Sequence, residues 1–506
     1  MKKTLIFYTL VTLCFLPVIL LRDYTPANEL RYLSIADEAL RQGHIFAFTN
    51  HGAIYADKPP LFLWLVMLVR LMPSALQHLL FGLLTVLPAY VTIEVTADTM
   101  LFQRRERTLM RLLTLTTGLF LVSMLTLRMD MLMCMFIMLA VRQFYHCYNS
   151  GRPHESILLP LYIFLGVFTK GPYGAMIPLA VIIAFLVVKG RLSDFFRVLG
   201  WRSWALLIAL FGLWLAAVYS EGGATYLSDL AFHQTVGRAY HSFHHREPVY
   251  YYLYMMWPLL LPWTFAMVYA AWNSLQKKSI NSESQRLMTI GCAATFVILS
   301  IVSAKLSIYF LPFVPFAAAL TVRAVTYSLP SWTLAIGYAP FVLIFPAFLL
   351  NGNRLPMLEP YHTLPVIIAL AIIGLGAIGA LVSLRQRGAY PSVITMAGGL
   401  LLSAAVAGFA MPRINNYIGF HALCQEALEV GHEEHVNRYV TVGLRHNENM
   451  CVFLGTTPES IDSAATLKRY QYVVVMAKKD ENKLPKLLRT RRVGNYIVGY
   501  MGKLSH

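Results

Sequence analysis

Apolar positions along the chain gather into long runs separated by polar segments of unequal length. The first run covers residues 5–21, interrupted only by Pro17 and preceded by Lys2 and Lys3. Further runs recur near 75–97, 112–127, 131–148, 156–168, 174–188, 203–219, 250–271, 287–303, 306–322, 332–350, 364–384 and 392–410. A helix needs about 20 mostly apolar residues to cross a bilayer, so the pattern predicts about thirteen spans, several of them short or containing proline. No small-x-small cleavage site follows the first run, which reads as an uncleaved signal anchor with a cytoplasmic start. From Met411 the pattern changes. Short β-type runs at 472–476 and 496–500 alternate with helix-like stretches, which predicts a small α/β domain. The expected organisation is a membrane domain over residues 1–410, holding a first outer loop over 22–60, and a domain over 411–506 on the outer side.

Composition agrees with this division. Of 506 residues, 57% are hydrophobic and 13% charged, with a mean hydropathy of +0.57. Soluble globular chains carry about 25% charged residues, and collagen, coiled-coil, disordered and disulfide-scaffold classes fail on the same figures. The formal charge of +17 is the kind of excess that attracts nucleic acid, but its placement gives another reading. Threading the spans from a cytoplasmic start puts 18 basic and four acidic residues in the inner segments, 11 basic residues in the outer loops and 13 in the tail. Basic loops resist translocation, so this bias orients the chain and leaves nucleic acid without support as a partner. None of the six cysteines forms a CxxC pair, so neither zinc nor a redox motif is indicated. Cys424 and Cys451 in the tail are open between one disulfide and two thiols.

The polar residues of the outer side are concentrated. The first outer loop carries Asn28, Glu29, Arg31 and Tyr32, and then Tyr55, Asp57 and Lys58 followed by Pro59 and Pro60. Arg128 and Asp130 end the third run, Lys170 ends the fifth, Arg238 and His245 lie in the loop after the seventh, and Lys305 and Tyr309 lie between the ninth and tenth. Cations held beside a bilayer cost free energy unless they meet an anion. A lipid-linked phosphate is the natural anion there, and the same donors stabilise the charge that grows on it as it leaves. A neighbouring carboxylate can take a proton from an attacking hydroxyl or hold a sugar. This combination describes transfer of a monosaccharide from a polyprenyl phosphate.

The segment 28–61 resembles the first outer loop of the lipid A aminoarabinose transferase family, relatives of protein mannosyltransferases in the glycosyltransferase C superfamily. The family's AspGlu-x-ArgTyr element matches at Glu29, Arg31 and Tyr32, with Asn28 in the Asp position; its Tyr-x-acid-LysProProLeu element is intact from Tyr55 to Leu61. The resemblance continues through Arg128, Asp130, Lys170, His245, Lys305 and Tyr309. It implies an α-helical polytopic membrane protein of glycosyltransferase C type with a small periplasmic α/β C-terminal domain, located in a bacterial inner membrane. It implies an undecaprenyl phosphate-linked sugar as donor and lipid A or another glycolipid as acceptor. Glu29 and Asp57 are the candidate catalytic carboxylates. Lys58, Arg238, Lys170, Lys305 and Tyr309 are the candidate phosphate ligands, and Asn28, Arg31, Tyr32, Tyr55, Arg128, Asp130 and His245 position substrate. No cofactor is required, and a divalent metal is left open. Asn28 removes the carboxylate presumed essential in the wider superfamily, which favours an acceptor that is already an anion over a protein hydroxyl.

Blander readings stand beside these. Lys58, Lys170 and Lys305 are placed where lysines snorkel to headgroups, and Tyr309 suits an aromatic belt. Arg31 and Arg238 suit headgroup anchors, and Arg128 with Asp130 suits a local ion pair. A transporter or flippase of lipid-linked sugar and a protein O-glycosyltransferase are the competing functions.

Overall fold

A computed structural model describes residues 2–150, 154–231, 247–276, 282–351, 355–461, 471–483 and 487–502. It is mainly helical. The chain opens with α1 (Lys2–Leu21), then α2 (Glu29–Gln42), α3 (Leu61–Arg70), α4 (Ser74–Thr99), α5 (Arg104–Leu115) and α6 (Gly118–Leu125). It continues through α7 (Asp130–Asn149), α8 (Leu158–Lys170), α9 (Tyr173–Val188), α10 (Trp201–Ala231), α11 (Tyr251–Leu259) and α12 (Thr264–Leu275). The bundle is completed by α13 (Glu283–Ile301), α14 (Phe313–Tyr327), α15 (Ser331–Asn351), α16 (Leu364–Arg387) and α17 (Ala389–Ala407).

Among the described residues, eight helices are long and apolar enough to cross a membrane, and nine if the pair α5 and α6, bent by 71°, counts as one span. The sequence predicted about thirteen. The difference lies in runs that are continuous in composition but not in backbone. The run at 250–271 breaks into α11 and α12. The run at 306–322 opens with a 3₁₀ turn (Ser307–Phe310), which leaves only 15 residues to α14. Helices α8, α9 and α14 have 13–16 residues, shorter than the length that spans a bilayer alone. In the other direction, α10 runs 31 residues through a kink at Gly223, whose φ of +70° suits glycine.

The polar segment 22–60 is folded rather than extended. Its α2 is amphipathic, burying Leu30, Leu33, Ile35, Ala36 and Ala39, and it ends at Gly43 in the left-handed conformation with its N–H returned to the Ala39 carbonyl. A two-stranded ribbon, β1 (Thr49–Asn50) and β2 (Ala53–Ile54), precedes the ProPro step into α3.

The last span runs on through a 3₁₀ turn (Gly408–Ala410) and α18 (Met411–Ile418), and α19 (His421–Glu433) follows. Beyond it lies a five-stranded sheet of β3 (Tyr439–Val442), β4 (Glu459–Ile461), β5 (Tyr472–Ala477), β6 (Leu488–Val493) and β7 (Tyr496–Met501), in the order β4-β3-β5-β7-β6. Strands β3, β4 and β5 are parallel, and β7 joins antiparallel to both β5 and β6. Both faces of β3 and β5 are buried, and β5 reads as an unbroken apolar run. One face shares a core with the 22–60 segment, in which Tyr24, Leu30 and Leu33 join Phe420, Leu423, Val473 and Val475. Hydrogen bonds sew the same seam: the His421 N–H donates to Asp23 Oδ2 at 2.8 Å, and the Asn415 and Asn449 amides donate to the Leu21 and Pro26 carbonyls. The first polar segment and the C-terminal domain therefore occupy one end of the bundle.

Candidate active site

Five chain segments meet at that end. The turn between α8 and α9 presents Lys170. Its geometry depends on two glycines: Gly171 has a φ of +94°, and a Cβ on Gly174 would sit 2.1 Å from the Gly166 carbonyl carbon, so the two helices touch backbone to backbone. The start of α7 presents Asp130, with 1% of its surface exposed. The ammonium of Lys170, itself buried, forms an ion pair with Asp130, and Arg128 Nε reaches the other carboxylate oxygen at 3.2 Å. The Lys170 ammonium also lies 4.3 Å from the centre of the Tyr309 ring, within cation–π range. Tyr309 packs on Tyr173 at 4.8 Å. Two cations thus enclose one carboxylate, leaving a net positive charge faced by an aromatic ring.

The Tyr309 turn is braced from α11. Tyr251 Oη and Ser307 Oγ are 3.0 Å apart, Tyr252 Oη donates to the Leu306 carbonyl, and the buried Lys305 ammonium donates to the Glu247 carbonyl at 3.0 Å. Burial lowers the Lys305 pKa below the ordinary lysine value, partly offset by the Glu247 carboxylate.

Tyr32 on α2 belongs to the same neighbourhood. Burial raises its phenol to about 12, within the fields of Arg128, Asp130, Arg31 and Tyr309. Arg31 Nη2 donates to Asn28 Oδ1 at 3.3 Å, while its Nε is buried without a hydrogen-bond partner among the described residues. The Tyr55–Pro60 stretch arrives beside this group because Phe62 packs on Tyr32 and Trp64 packs on Phe168, two residues before Lys170. Tyr55 is buried, its carbonyl accepting from Tyr226 Oη at 2.8 Å. Asp57 and Lys58 remain half-buried, with Lys58 Nζ donating to the Asp57 carbonyl at 3.2 Å.

Glu29 is differently placed from the expectation for a catalytic carboxylate. It is 1% exposed and its two oxygens accept five hydrogen bonds: two from the Arg22 guanidinium, two from Thr25, and one from the Leu127 N–H at 2.6 Å. Burial alone would raise its pKa. The Arg22 guanidinium and the Thr25 and Leu127 N–H groups outweigh that and hold it below the usual carboxylate range. Such a group has no lone pair left for substrate. It fastens the start of α2 to the residue before Arg128.

Arg238 and His245, with the rest of the loop at 232–246, lie outside the described residues. Among the described residues no group of three His, Cys, Asp or Glu side chains could hold a metal ion. Cys424 and Cys451 are both thiols, and Cys451 Sγ lies 3.4 Å from Ser34 Oγ. Sequence reasoning missed Arg22, Tyr173, Tyr226 and Tyr252. Each acts by supporting another residue, and no charge pattern marks a supporting tyrosine.

Two solved structures share the whole architecture. The chain superposes on ArnT from Cupriavidus metallidurans bound to undecaprenyl phosphate with a TM-score of 0.77 and 17% identity, covering 98% of this chain and 97% of that one. The fold is that of ArnT. The apo form of the same protein gives a TM-score of 0.76 at 17% identity over 99% and 98% of the two chains. The expected architecture, a polytopic bundle of apolar helices with a small C-terminal sheet domain, is therefore the architecture found. By sequence, the chain is 25% identical over 309 residues to an undecaprenyl phosphate-alpha-4-amino-4-deoxy-L-arabinose arabinosyl transferase of Shewanella sediminis, and 23% identical over 300 residues to an uncharacterized protein of Aquifex aeolicus. Each alignment covers 58% of this chain, and 54% and 58% of those relatives respectively. No protein-family model matches.

Proposed function

We propose that the protein is an integral-membrane glycosyltransferase of a bacterial inner membrane. It moves a monosaccharide from a polyprenyl phosphate donor to lipid A or another glycolipid on the periplasmic side. The observation that carries this reading is the convergence of Arg128, Asp130, Lys170 and Tyr309 beside the Lys58 loop, in a fold shared with an ArnT crystallised with undecaprenyl phosphate. The net positive charge of that group suits a phosphate that gains charge as the sugar departs.

In this reading an acceptor oxygen attacks the anomeric carbon as the bond from that carbon to the lipid phosphate oxygen breaks, with inversion. Lys58, Arg128 and Lys170 hold the leaving phosphate, with Lys305, Tyr309 and Arg238 contributing from their loops. Arg31 offers its buried Nε, and Tyr32, Tyr55, Asn28 and His245 shape the sugar site. Asp57, half-buried on a loop, is the carboxylate that positions the acceptor, and Glu29 acts as a clamp. A phosphate acceptor such as lipid A carries is already an anion, so Asn28 in place of a carboxylate costs it nothing.

The test is mass spectrometry of lipid A and total glycolipids from cells with and without the protein, repeated with Lys58→Ala. A sugar-sized mass increase that needs both the protein and Lys58 supports the reading. Accumulation of inward-facing lipid-linked sugar with no acceptor modified anywhere points to a flippase instead.

A further inference from the structure

The C-terminal sheet carries a feature that the transfer site does not use. In strand order β4-β3-β5, the chain leaves β3 for β4 on one side and returns to β5 on the other, and all three strands are parallel. The carboxyl ends of β3 and β5 thus flank a topological switch point, the position where open α/β sheets bind ligands. A cleft of about 950 Å³ opens there.

Its walls have two characters. The segment after β3 supplies Arg445 and His446, and the segment after β5 supplies Lys478 and Lys479; no carboxylate lines the cleft among the described residues. Phe420, Leu444 and Tyr496 give an apolar, partly aromatic floor. The two segments are drawn together at Gly443, which has a φ of +68° and where a Cβ would sit 2.1 Å from Asp480 Oδ2. Two acids lie nearby: Asp480 behind Gly443, and Glu448, 3.6 Å from His446 Nδ1. They offset part of the charge. Arg445, Lys478 and Lys479 are exposed at the mouth. The far wall is Pro26 and Ala27, immediately before Asn28.

We propose that this cleft is a second binding site, separate from the transfer site, for a phosphorylated saccharide. The cations receive the phosphate and the Tyr496 and Phe420 side of the floor receives the sugar face. The saccharide is either soluble or the headgroup of a glycolipid. The inference rests on the cleft's own residues and stands whether or not the transfer reading holds.

The test uses the full chain in nanodiscs of phosphatidylcholine. Glucose 1-phosphate is titrated by calorimetry with glucose as the uncharged control, and monophosphoryl lipid A incorporated into the discs is scored by native mass spectrometry. The variants are Arg445→Ser/Lys478→Ser, whose exposed side chains leave the fold intact, and Lys58→Ala. Binding of glucose 1-phosphate but not glucose, weakened at least about tenfold in the double variant and unchanged in Lys58→Ala, supports a site open to soluble saccharides. Retention of the lipid alone, with the same dependence, supports a headgroup site. Binding that survives the double variant, that is lost in Lys58→Ala, or that is absent for both probes overturns the proposal.

Discussion

Two sets of buried charge bear on this site, and the consequences differ with the set. Lys170, Asp130 and Arg128 form a triad from which removing Lys170 leaves a neutral pair and takes away the net positive charge. Lys170→Met is expected to lower sugar transfer about 10²-fold while the protein still folds, measured as turnover of a polyprenyl phosphate sugar in reconstituted membranes. Glu29 behaves as a clamp. Glu29→Gln leaves Arg22 buried opposite a neutral amide and is expected to cost about 3 kcal/mol of stability, read from thermal unfolding in detergent. The pH dependence follows from the same pairing. Because the folded Glu29 pKa lies below its unfolded value, its contribution is fully present above the ordinary carboxyl pKa and disappears as pH falls through the folded value. Wild-type protein should lose more stability than Glu29→Gln on acidification from pH 7 to below about 4. The sequence showed which residue types collect on this face. It did not show that Glu29, next to the Arg and Tyr of its motif, would be consumed by Arg22, since a carboxylate in a motif looks the same whether its lone pairs are occupied or open.

At the scale of elements, the site depends on backbone contacts more than on helix length. The α8–α9 hairpin closes through Gly166 and Gly174, and that backbone contact helps set the position of Lys170. Gly174→Ala is expected to destabilise the protein by about 2 kcal/mol and to depress transfer, whereas Ala175→Gly, on the same helix, should leave transfer near wild type. A finding that Gly174→Ala transfers sugar normally would show that Lys170 is positioned by other means. Helix boundaries here were the least legible part of the chain. Hydropathy registers composition, so the 3₁₀ turn before α14 and the break between α11 and α12 do not show in it. The first apolar run, 5–21, ends with α1 at Leu21, whereas the last, 392–410, stops short of Ile418.

For the whole molecule, the joint between the first polar segment and the C-terminal domain is the feature that hydropathy does not show. A boundary at 410 describes where hydropathy falls, but the last span continues to Ile418 and the domain's core is shared with Tyr24, Leu30 and Leu33. No periodicity relates residues 400 positions apart, so that pairing was not readable in advance. Deleting 411–506 should therefore expose the 22–60 segment to protease and abolish transfer, measured by limited proteolysis of membranes and by the same turnover assay. Co-expression of 411–506 as a separate exported fragment is expected to restore protection.

The seam also sets an order in time. The segment at 22–60 leaves the ribosome early, yet the side chains that cover its apolar face are among the last to be made. At about 5–20 residues per second, the delay is on the order of a minute or less. Throughout that interval the start of α2, and with it the position of Arg31 and Tyr32, lacks its covering surface. A chain that stops short, by nonsense mutation or by proteolysis near its end, is thus left without the surface that covers α2.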